Sequence, residues 1–217
     1  MNSYNIILSL DLTTKKKLLI SSRSLELDPA LDVPFVRLRY VKEAKPYVPA
    51  STLKGVLRTA LTRITDILGY DCLVKSVEPS RLAETGPNDI VIRLFGRPHG
   101  PKGKLRFTPV VLDEKVHRLT HVRIDDKTRT AEPGGLYTAE YIPIGYKFKA
   151  KVEAEELSLE EAEALFAAIA ALPYERVGKA GLLDVKIDMV ESMIPRDLIE
   201  RSPIIKEIVG AMGVESL

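Results

Sequence analysis

The residues whose types and spacing could do chemistry are concentrated in the segment 49–63. Lys54 and Arg58 stand four residues apart, so on a helix they share one face. Gly55 leaves the first turn bare of side chain, and the free N–H groups at the start of a helix attract anions. Together these features predict a phosphate-binding surface at the helix start. A solvated basic face is the alternative that the spacing leaves open.

Aromatic side chains form a second set of candidates, in a stretch with glycines further along the chain. Tyr137 and Tyr141 follow Gly134 and Gly135 closely in sequence. Exposed rings in such a loop can stack on nucleobases. Packing of the loop onto a sheet explains the same residues equally well.

The charges are unevenly distributed along the 217 residues. Residues 1–63 carry 11 Lys and Arg against 5 Asp and Glu, whereas residues 131–217 carry 9 against 16. A basic face beside an acidic region suits a polyanionic partner such as RNA. Ordinary solvated charge would give the same counts.

The composition restricts the class of protein. Hydrophobic residues make up 45% of the chain, enough to bury a core in one elaborated domain. A single cysteine, Cys72, excludes a disulfide framework and a cysteine-rich zinc site, which favours a reducing compartment. No apolar run approaches the ~20 residues that span a bilayer, and the N-terminus does not resemble a signal peptide. We therefore expect a cytoplasmic protein without membrane association.

The elements that must position these residues follow the order strand, helix, strand, strand, helix, strand. Alternating apolar residues predict four strands, at 4–12, 104–113, 146–154 and 183–189. The first helix is predicted to have Ser51 as its N-cap and to stop at Gly69. The second is predicted to begin at Ser158, with Glu161 completing a capping box. This order predicts a ferredoxin-like (RRM-like) α+β fold, an antiparallel sheet with two helices on one face.

Two stretches interrupt this order. Residues 70–90 are irregular and are predicted to form an insertion. Residues 114–145 hold few periodic apolar residues and several turn signals, which predicts a functional loop or an extended hairpin. We expect a single domain, 1–217, whose core carries both insertions.

Two sequence blocks resemble the RAMP superfamily of CRISPR-associated proteins. The run PASTLKGVLR at 49–58 is similar to the family signature P-x-S-x-L-K-G-x-x-R. Residues 121–140 are similar to a second family block, in which an Ile-Asp pair, a Thr-containing turn and a small-hydrophobic-aromatic-Thr run precede a Glu. The blocks occur in the family order, and together with the expected elements the resemblance covers nearly the whole chain.

The size and both blocks are most similar to the backbone subunit of type III effector complexes, of the Csm or Cmr kind. The resemblance implies four partners: a CRISPR guide RNA, its complementary target RNA, other RAMP subunits, and copies of the chain stacked head-to-tail. It also implies a hairpin thumb that inserts into the guide–target duplex, for which residues 114–145 are the candidate. The RNA contacts expected within the two blocks are Ser51, Lys54, Gly55, Arg58, His121, Arg129 and Tyr137.

The resemblance also implies a catalytic role for Asp32. Backbone subunits that cut target RNA have an aspartate in a similar Asp-x-Pro context shortly before the first block, and Asp32 stands two residues before Pro34. A carboxylate can hold Mg²⁺, whose other ligands come from phosphate and water, and the metal can activate a hydroxyl nucleophile. A turn residue beside a proline is the alternative for Asp32.

Two segments depart from the family pattern. Residues 18–24 lack the family's glycines, and residues 177–183 keep two glycines but lack its arginine. Arg23 and Lys179 could supply charge to the guide backbone instead. The departures leave open a structural paralogue that does not cleave RNA.

Two further alternatives remain open on the sequence. One is a metal-free nuclease that processes guide RNA, although none of the three histidines lies in the N-terminal third, where we expect its general base. The other is a ferredoxin-like interaction domain that binds no RNA.

Overall fold

The computed structural model describes residues 3–21, 31–38, 44–70, 72–76, 86, 88–113 and 115–214. Arg23, one of the expected RNA contacts, lies outside the described residues. Within the part of the chain that is described, no helix is both long and apolar enough to cross a membrane.

The described residues form ten strands and five helices. In chain order they are β1 (Tyr4–Thr14), β2 (Arg37–Leu38), β3 (Lys45–Val48), α1 (Ala50–Ile64), α2 (Ile90–Phe95), β4 (Leu105–Phe107), β5 (Val110–Val111), β6 (His117–Ile124), β7 (Ala131–Tyr141), β8 (Lys147–Leu157), α3 (Leu159–Ala171), β9 (Leu183–Met193), α4 (Arg196–Arg201), α5 (Pro203–Met212) and β10 (Gly213–Val214).

The main sheet has five strands in the order β10-β9-β1-β8-β4. β1 lies antiparallel between β8 and β9, and β4 lies antiparallel to β8. Without the short β10, this is the strand order of a ferredoxin-like βαββαβ core, with α1 and α3 as its two helices. The fold predicted from the sequence is therefore confirmed.

The core lies between this sheet and the helices. Alternate residues of β1 point to one side, and Leu8, Leu10 and Leu12 are at most 3% exposed there. They share one apolar cluster with Leu57 of α1 and Phe166 of α3. Because each buried side chain of this size stabilises the fold by roughly 1.5–3 kcal/mol, the shared core holds both helices on the same face of the sheet.

The start of α3 has the expected capping box. The Ser158 hydroxyl accepts the N–H of Glu161 at 3.2 Å, and the Glu161 carboxylate accepts the N–H of Ser158 at 2.8 Å. The same carboxylate lies 2.7 Å from the ammonium of Lys104, which precedes β4. Glu161 therefore joins the helix start to the edge of the sheet.

The start of α1 differs from the expectation. Ser51 is not the N-cap: the helix begins at Ala50, and Pro49 is the cap, with φ −61° and ψ 141°. The Pro49 carbonyl accepts the N–H groups of Thr52 and Leu53 at 3.0 and 3.3 Å. The proline ring fixes φ near the value observed at this cap position, so the helix begins before the serine. At the other end α1 stops at Ile64, and further turns run on to Gly69, whose φ is +73°.

The stretch 70–90 contains structure that the sequence pattern did not predict. A 3-10 turn forms at Leu73–Ser76, and the six-residue α2 begins after Asp89. The carboxylate of Asp89 accepts the N–H groups of Val91 and Leu73 at 2.8 and 2.7 Å. One buried aspartate therefore holds both pieces together.

Strands β6 and β7 form a two-stranded antiparallel hairpin within residues 114–145. Its base is attached to the domain by an antiparallel bridge between Leu18 and Ile142 and by a parallel bridge between Val33 and Ala139. A two-stranded hairpin has little stability by itself in water, so these contacts at the base determine where the hairpin lies.

Candidate nucleic-acid interface

The first turn of α1 is accessible from solvent. No side chain caps the helix, and Ser51 and Gly55 are both exposed. No described side chain accepts the N–H groups of the first turn, and the helix dipole favours an anion there. The expected phosphate-binding helix start is therefore not buried in the core.

Lys54 and Arg58 lie together on one flank of α1, both half-buried. Burial and the neighbouring charge of Arg58 lower the pKa of Lys54. Burial also lowers the pKa of Arg58, against the opposing effects of Asp89 and Cys72, and its Nη2 atom is buried without a hydrogen-bond partner among the described residues. Two crowded, partly desolvated cations would both be stabilised by an anion placed beside them.

The other flank of α1 borders a groove of about 710 Å³. We call it the α1 groove; its lining residues are Ser51, Thr52, Gly55, Val56, Thr59, Arg63, Tyr174, Glu175, Arg176 and Gly178. Tyr174 is 83% exposed, and Arg176 is exposed beside it. The groove thus combines an open helix start, a cation and a free aromatic ring, which are groups that bind phosphate and a nucleobase.

The wall of the α1 groove opposite the helix is held in place by charge and by a tight turn. Arg63 lies 2.9 Å from the carboxylate of Glu175, which is only 6% exposed. Gly178 has φ +64°, and a side chain there would collide with the carbonyl oxygen of Leu19. Lys179 donates its N–H to that carbonyl at 3.0 Å and keeps its own side chain exposed. The two segments that depart from the family pattern therefore pack against each other.

Lys54 and Arg58 are not brought into the α1 groove. They lie on the flank that faces Asp89, whereas Arg63 and Arg176 lie on the groove side. The helix start consequently carries two cationic flanks with the exposed Ser51 between them. The sequence pattern identified the first flank only.

The distal half of the β6–β7 hairpin combines exposed apolar and cationic side chains. Val122 is 47% exposed, Ile124 57% and Leu136 69%. At the tip, the carboxylate of Asp125 accepts the N–H groups of the residues that follow it, which lowers its pKa, and Arg129 has a left-handed φ of 55°. Exposed apolar side chains in such number on an isolated hairpin indicate a contact surface.

Aromatic and imidazole rings line one face of the same hairpin. His121 and Tyr137 are stacked across the strands with centroids 5.0 Å apart, and His117 and Tyr141 are paired at 5.8 Å. The ammonium of Lys17 lies 4.9 Å from the centroid of Tyr141. The structure therefore places two of the three expected hairpin contacts, His121 and Tyr137, in a single ring pair.

Asp32 is exposed and lies beside β7 at the base of the hairpin. Its Oδ2 atom accepts the N–H of Thr138 at 2.8 Å, and its own N–H donates to the Thr138 carbonyl at 3.2 Å. No described group donates to Oδ1. Among the residues that the structure describes, no cluster of three His, Cys, Asp or Glu could hold a metal ion.

One carboxylate is compatible with Mg²⁺ only when the substrate completes the site. Mg²⁺ commonly binds through one or two carboxylates together with water and substrate phosphates. Asp32, an exposed carboxylate outside any described cluster of three metal-ligating residues, fits a site of that kind and not a protein cage.

The open face of the main sheet does not offer a platform for nucleobases. On its described strands the side chains that face away from the helices are charged, polar or aliphatic. Lys149, for example, donates to Asp188 and Glu191 at 2.6 and 2.5 Å, and these bonds raise its pKa. RRM domains stack bases on aromatic side chains of this face. The described part of this face therefore lacks the base-stacking surface of an RRM domain.

Three functional candidates escaped the sequence analysis. Tyr174 and Arg176 stand in the run LPYER, which directly follows a helix. An aromatic residue and an arginine directly after a helix end are the sequence signal for them. Glu140 was noticed only as part of a family block, and nothing in the sequence shows that it is buried.

The fold and the surface define a ferredoxin-like α+β domain with an added β-hairpin and a cationic, uncapped helix start. The sequence profile of the RAMP superfamily matches residues 36–182 of the chain. Since this is more than half of its length, the protein belongs to the RAMP superfamily.

Two solved structures illustrate the likeness in fold. A chain of the cryo-EM structure of Type III-B Cmr-beta in the apo state has 13% identity and a TM-score of 0.60, over 83% of this chain and 96% of that one. A chain of Type III-B Cmr-beta bound to cognate target RNA has 13% identity and a TM-score of 0.55, over the same shares. At this identity the two structures show a shared fold. A comparison with curated proteins finds no match.

Proposed function

We propose that this chain is a guide-RNA-binding subunit of a type III CRISPR effector complex in the cytoplasm. The observation that carries the proposal is the uncapped start of α1, open to solvent and flanked by cations on both sides. Membership of the RAMP superfamily and the likeness in fold to chains of Cmr-beta support it.

The helix start binds the guide through its phosphates. Lys54 and Arg58 contribute charge from one flank, and Arg176 contributes it from the α1 groove. The exposed ring of Tyr174 stacks on a base next to the bound phosphate. Since these contacts read no base edge, the binding is independent of sequence.

The β6–β7 hairpin contacts the paired region of guide and target. Its stacked pair of His121 and Tyr137 and the exposed Leu136 offer flat and apolar surface to bases, and Arg129 at the tip offers charge to phosphate. Unstacking a base step costs a few kcal/mol, which the apolar contact offsets.

Asp32 binds Mg²⁺ when target RNA supplies the remaining ligands. The metal, when bound, would stabilise charge developing on the scissile phosphate. The chain itself holds the carboxylate by the bond from the Thr138 N–H to Oδ2, which leaves Oδ1 for the metal. A non-cleaving structural subunit is the second candidate function, and it is favoured by the single carboxylate at this position.

Copies of the chain stack head-to-tail in the assembled complex, beside other RAMP subunits. A groove of about 410 Å³ at one end of the open sheet face is lined by Glu153, Glu155 and Glu156 together with Ile7 and Met193. Glu153 and Glu155 pair within the chain with Lys151 and Arg106. Glu156 and the apolar residues of the groove therefore contact the next copy.

Photo-crosslinking tests the proposed interface directly. Guide RNA containing 4-thiouridine is bound to the intact chain and irradiated, and crosslinked peptides are identified by mass spectrometry. We expect crosslinks in α1, in the residues around Tyr174, and in β6 and β7. Crosslinks confined to the open sheet face or to α5 would contradict the proposal.

A further inference from the structure

Glu140 is a carboxylate buried where three parts of the chain meet. It lies near the end of β7, and its side chain is only 2% exposed. Its Oε2 atom accepts the N–H of Phe35 at 3.0 Å and a guanidinium hydrogen of Arg37 at 2.7 Å. Its Oε1 atom lies 3.6 Å from Nε of Arg118, which belongs to β6. This one side chain of β7 therefore contacts the other strand of the hairpin, β6, and the segment that follows Asp32.

The backbone continues the same attachment. Val33 donates its N–H to the Thr138 carbonyl at 3.1 Å, and Glu140 donates its N–H to the Val33 carbonyl at 3.0 Å. Together with the two bonds between Asp32 and Thr138, these contacts hold Asp32 and Val33 against β7 at the base of the hairpin, through one parallel bridge between Val33 and Ala139.

The surroundings of Glu140 require its charge. It lines a cleft of about 460 Å³ whose other charged residues are Arg37, Lys45, Asp113, Lys115 and Arg118. Four cations therefore face two carboxylates, and one of these, Asp113, is already paired with Lys45 at 2.8 Å. A neutral side chain at position 140 would remove the carboxylate charge that lies 2.7 Å from Arg37, whose own side chain is only 18% exposed.

We propose that Glu140 is a positioning residue that fixes the β6–β7 hairpin relative to the Asp32 segment. The fixed geometry allows the hairpin and Asp32 to contact the same RNA, and this consequence rests on the function proposed above. Glu140 is buried, so it acts through Arg37, Arg118 and the backbone of Phe35.

Hydrogen–deuterium exchange on the intact chain tests the positioning role without RNA. Glu140→Gln keeps the shape and removes the charge, and we expect amides of β6 and β7 to exchange roughly tenfold faster, with the main sheet unchanged. Arg37→Gln should give the same result, and the double variant should add little to either single one, because the two side chains act as a pair.

Glu161→Gln is the matched control. Glu161 is also buried and ion-paired, but it caps α3 and does not touch the hairpin. We expect Glu140→Gln and Glu161→Gln both to lower the melting temperature, and only Glu140→Gln to increase exchange in the hairpin. The positioning role would be overturned if both variants changed the exchange of the hairpin amides equally. It would also be overturned if Glu140→Gln left the exchange rates of these amides unchanged.

Binding of single-stranded RNA separates this proposal from the proposed function. Glu140→Gln should weaken binding severalfold without changing its salt dependence, because no phosphate contact is lost. Weaker binding of RNA by Glu140→Gln together with an altered salt slope would overturn the proposal that Glu140 acts only through other residues. If Glu140→Gln showed faster exchange in the hairpin but bound RNA with wild-type affinity, the fixed position of the hairpin would not matter for RNA binding. If the wild-type chain bound no RNA, the proposed function would fail, and the exchange data would still decide whether Glu140 positions the hairpin.

Discussion

Single residues differ in how far the sequence could predict their roles. The four-residue spacing of Lys54 and Arg58 predicts that they share one face of a helix, and both lie on one flank of α1, while their contact with RNA stays a prediction. Tyr174 was missed because its exposure beside α1 depends on how the chain turns after α3. Glu140 was missed as a structural residue for the same reason, since its partners Phe35 and Arg37 lie more than a hundred positions away in sequence.

A substitution of Asp32 tests the catalytic proposal at this scale. Asp32→Asn keeps an oxygen that can accept the N–H of Thr138 but removes the charge that holds Mg²⁺, so the assembled complex should lose Mg²⁺-dependent cutting of target RNA and keep RNA binding. The control is Asp126→Asn, which alters an exposed carboxylate at the tip of the hairpin. Equal cutting by the Asp32→Asn and wild-type complexes would remove Asp32 from the reaction. A wild-type complex that never cuts would leave the structural subunit as the function.

Elements with strong local signals were predicted from the sequence, and those determined by tertiary contacts were not. The capping box of α3 formed as expected because both of its hydrogen bonds lie within four residues. A serine is the stronger local signal and predicts Ser51 as the cap of α1, whereas Pro49 is the cap and the helix begins at Ala50. The short α2 has no period to detect, since almost all of its side chains are buried. Its start depends on Asp89, which also binds a turn sixteen residues earlier.

Acid should weaken the attachment of the hairpin. Burial by itself would raise the pKa of Glu140, but the hydrogen bonds from Arg37 and from the Phe35 N–H outweigh it, so the pKa lies below its usual value. A carboxyl group whose pKa is lower in the folded state stabilises that state above its unfolded pKa of about 4.3, and this stabilisation is lost as the pH falls through the folded pKa.

Thermal unfolding measured between pH 6 and pH 3 checks this expectation. The melting temperature of the wild type should fall more steeply below about pH 4.3 than that of Glu140→Gln, which has no proton to take up at this position. Parallel curves for the two proteins would show that the charge of Glu140 does not contribute to the stability of the fold.

The surfaces of the whole molecule differ in their chemistry. The helix start and the hairpin carry cations and rings, whereas the open sheet face carries charges of both signs without rings on its described strands, including the ion-paired Lys149 and the exposed Lys147 and Lys186. The uneven distribution of charge along the sequence predicts a basic face. It does not predict where cations and rings lie together, because that depends on how the chain folds.

The salt dependence of RNA binding tests the central claim, which is that cations at the start of α1 bind RNA phosphates. For single-stranded nucleic acid each phosphate contact contributes about 0.7 to the slope of log K against log salt concentration. The double variant Lys54→Ala, Arg58→Ala should therefore bind every RNA sequence more weakly and flatten the slope by roughly 1.4. The control variant Lys147→Ala, Lys186→Ala, which removes two exposed cations of the open sheet face, should keep the wild-type slope. An unchanged slope in the α1 variant, or equal flattening in both variants, would contradict the account.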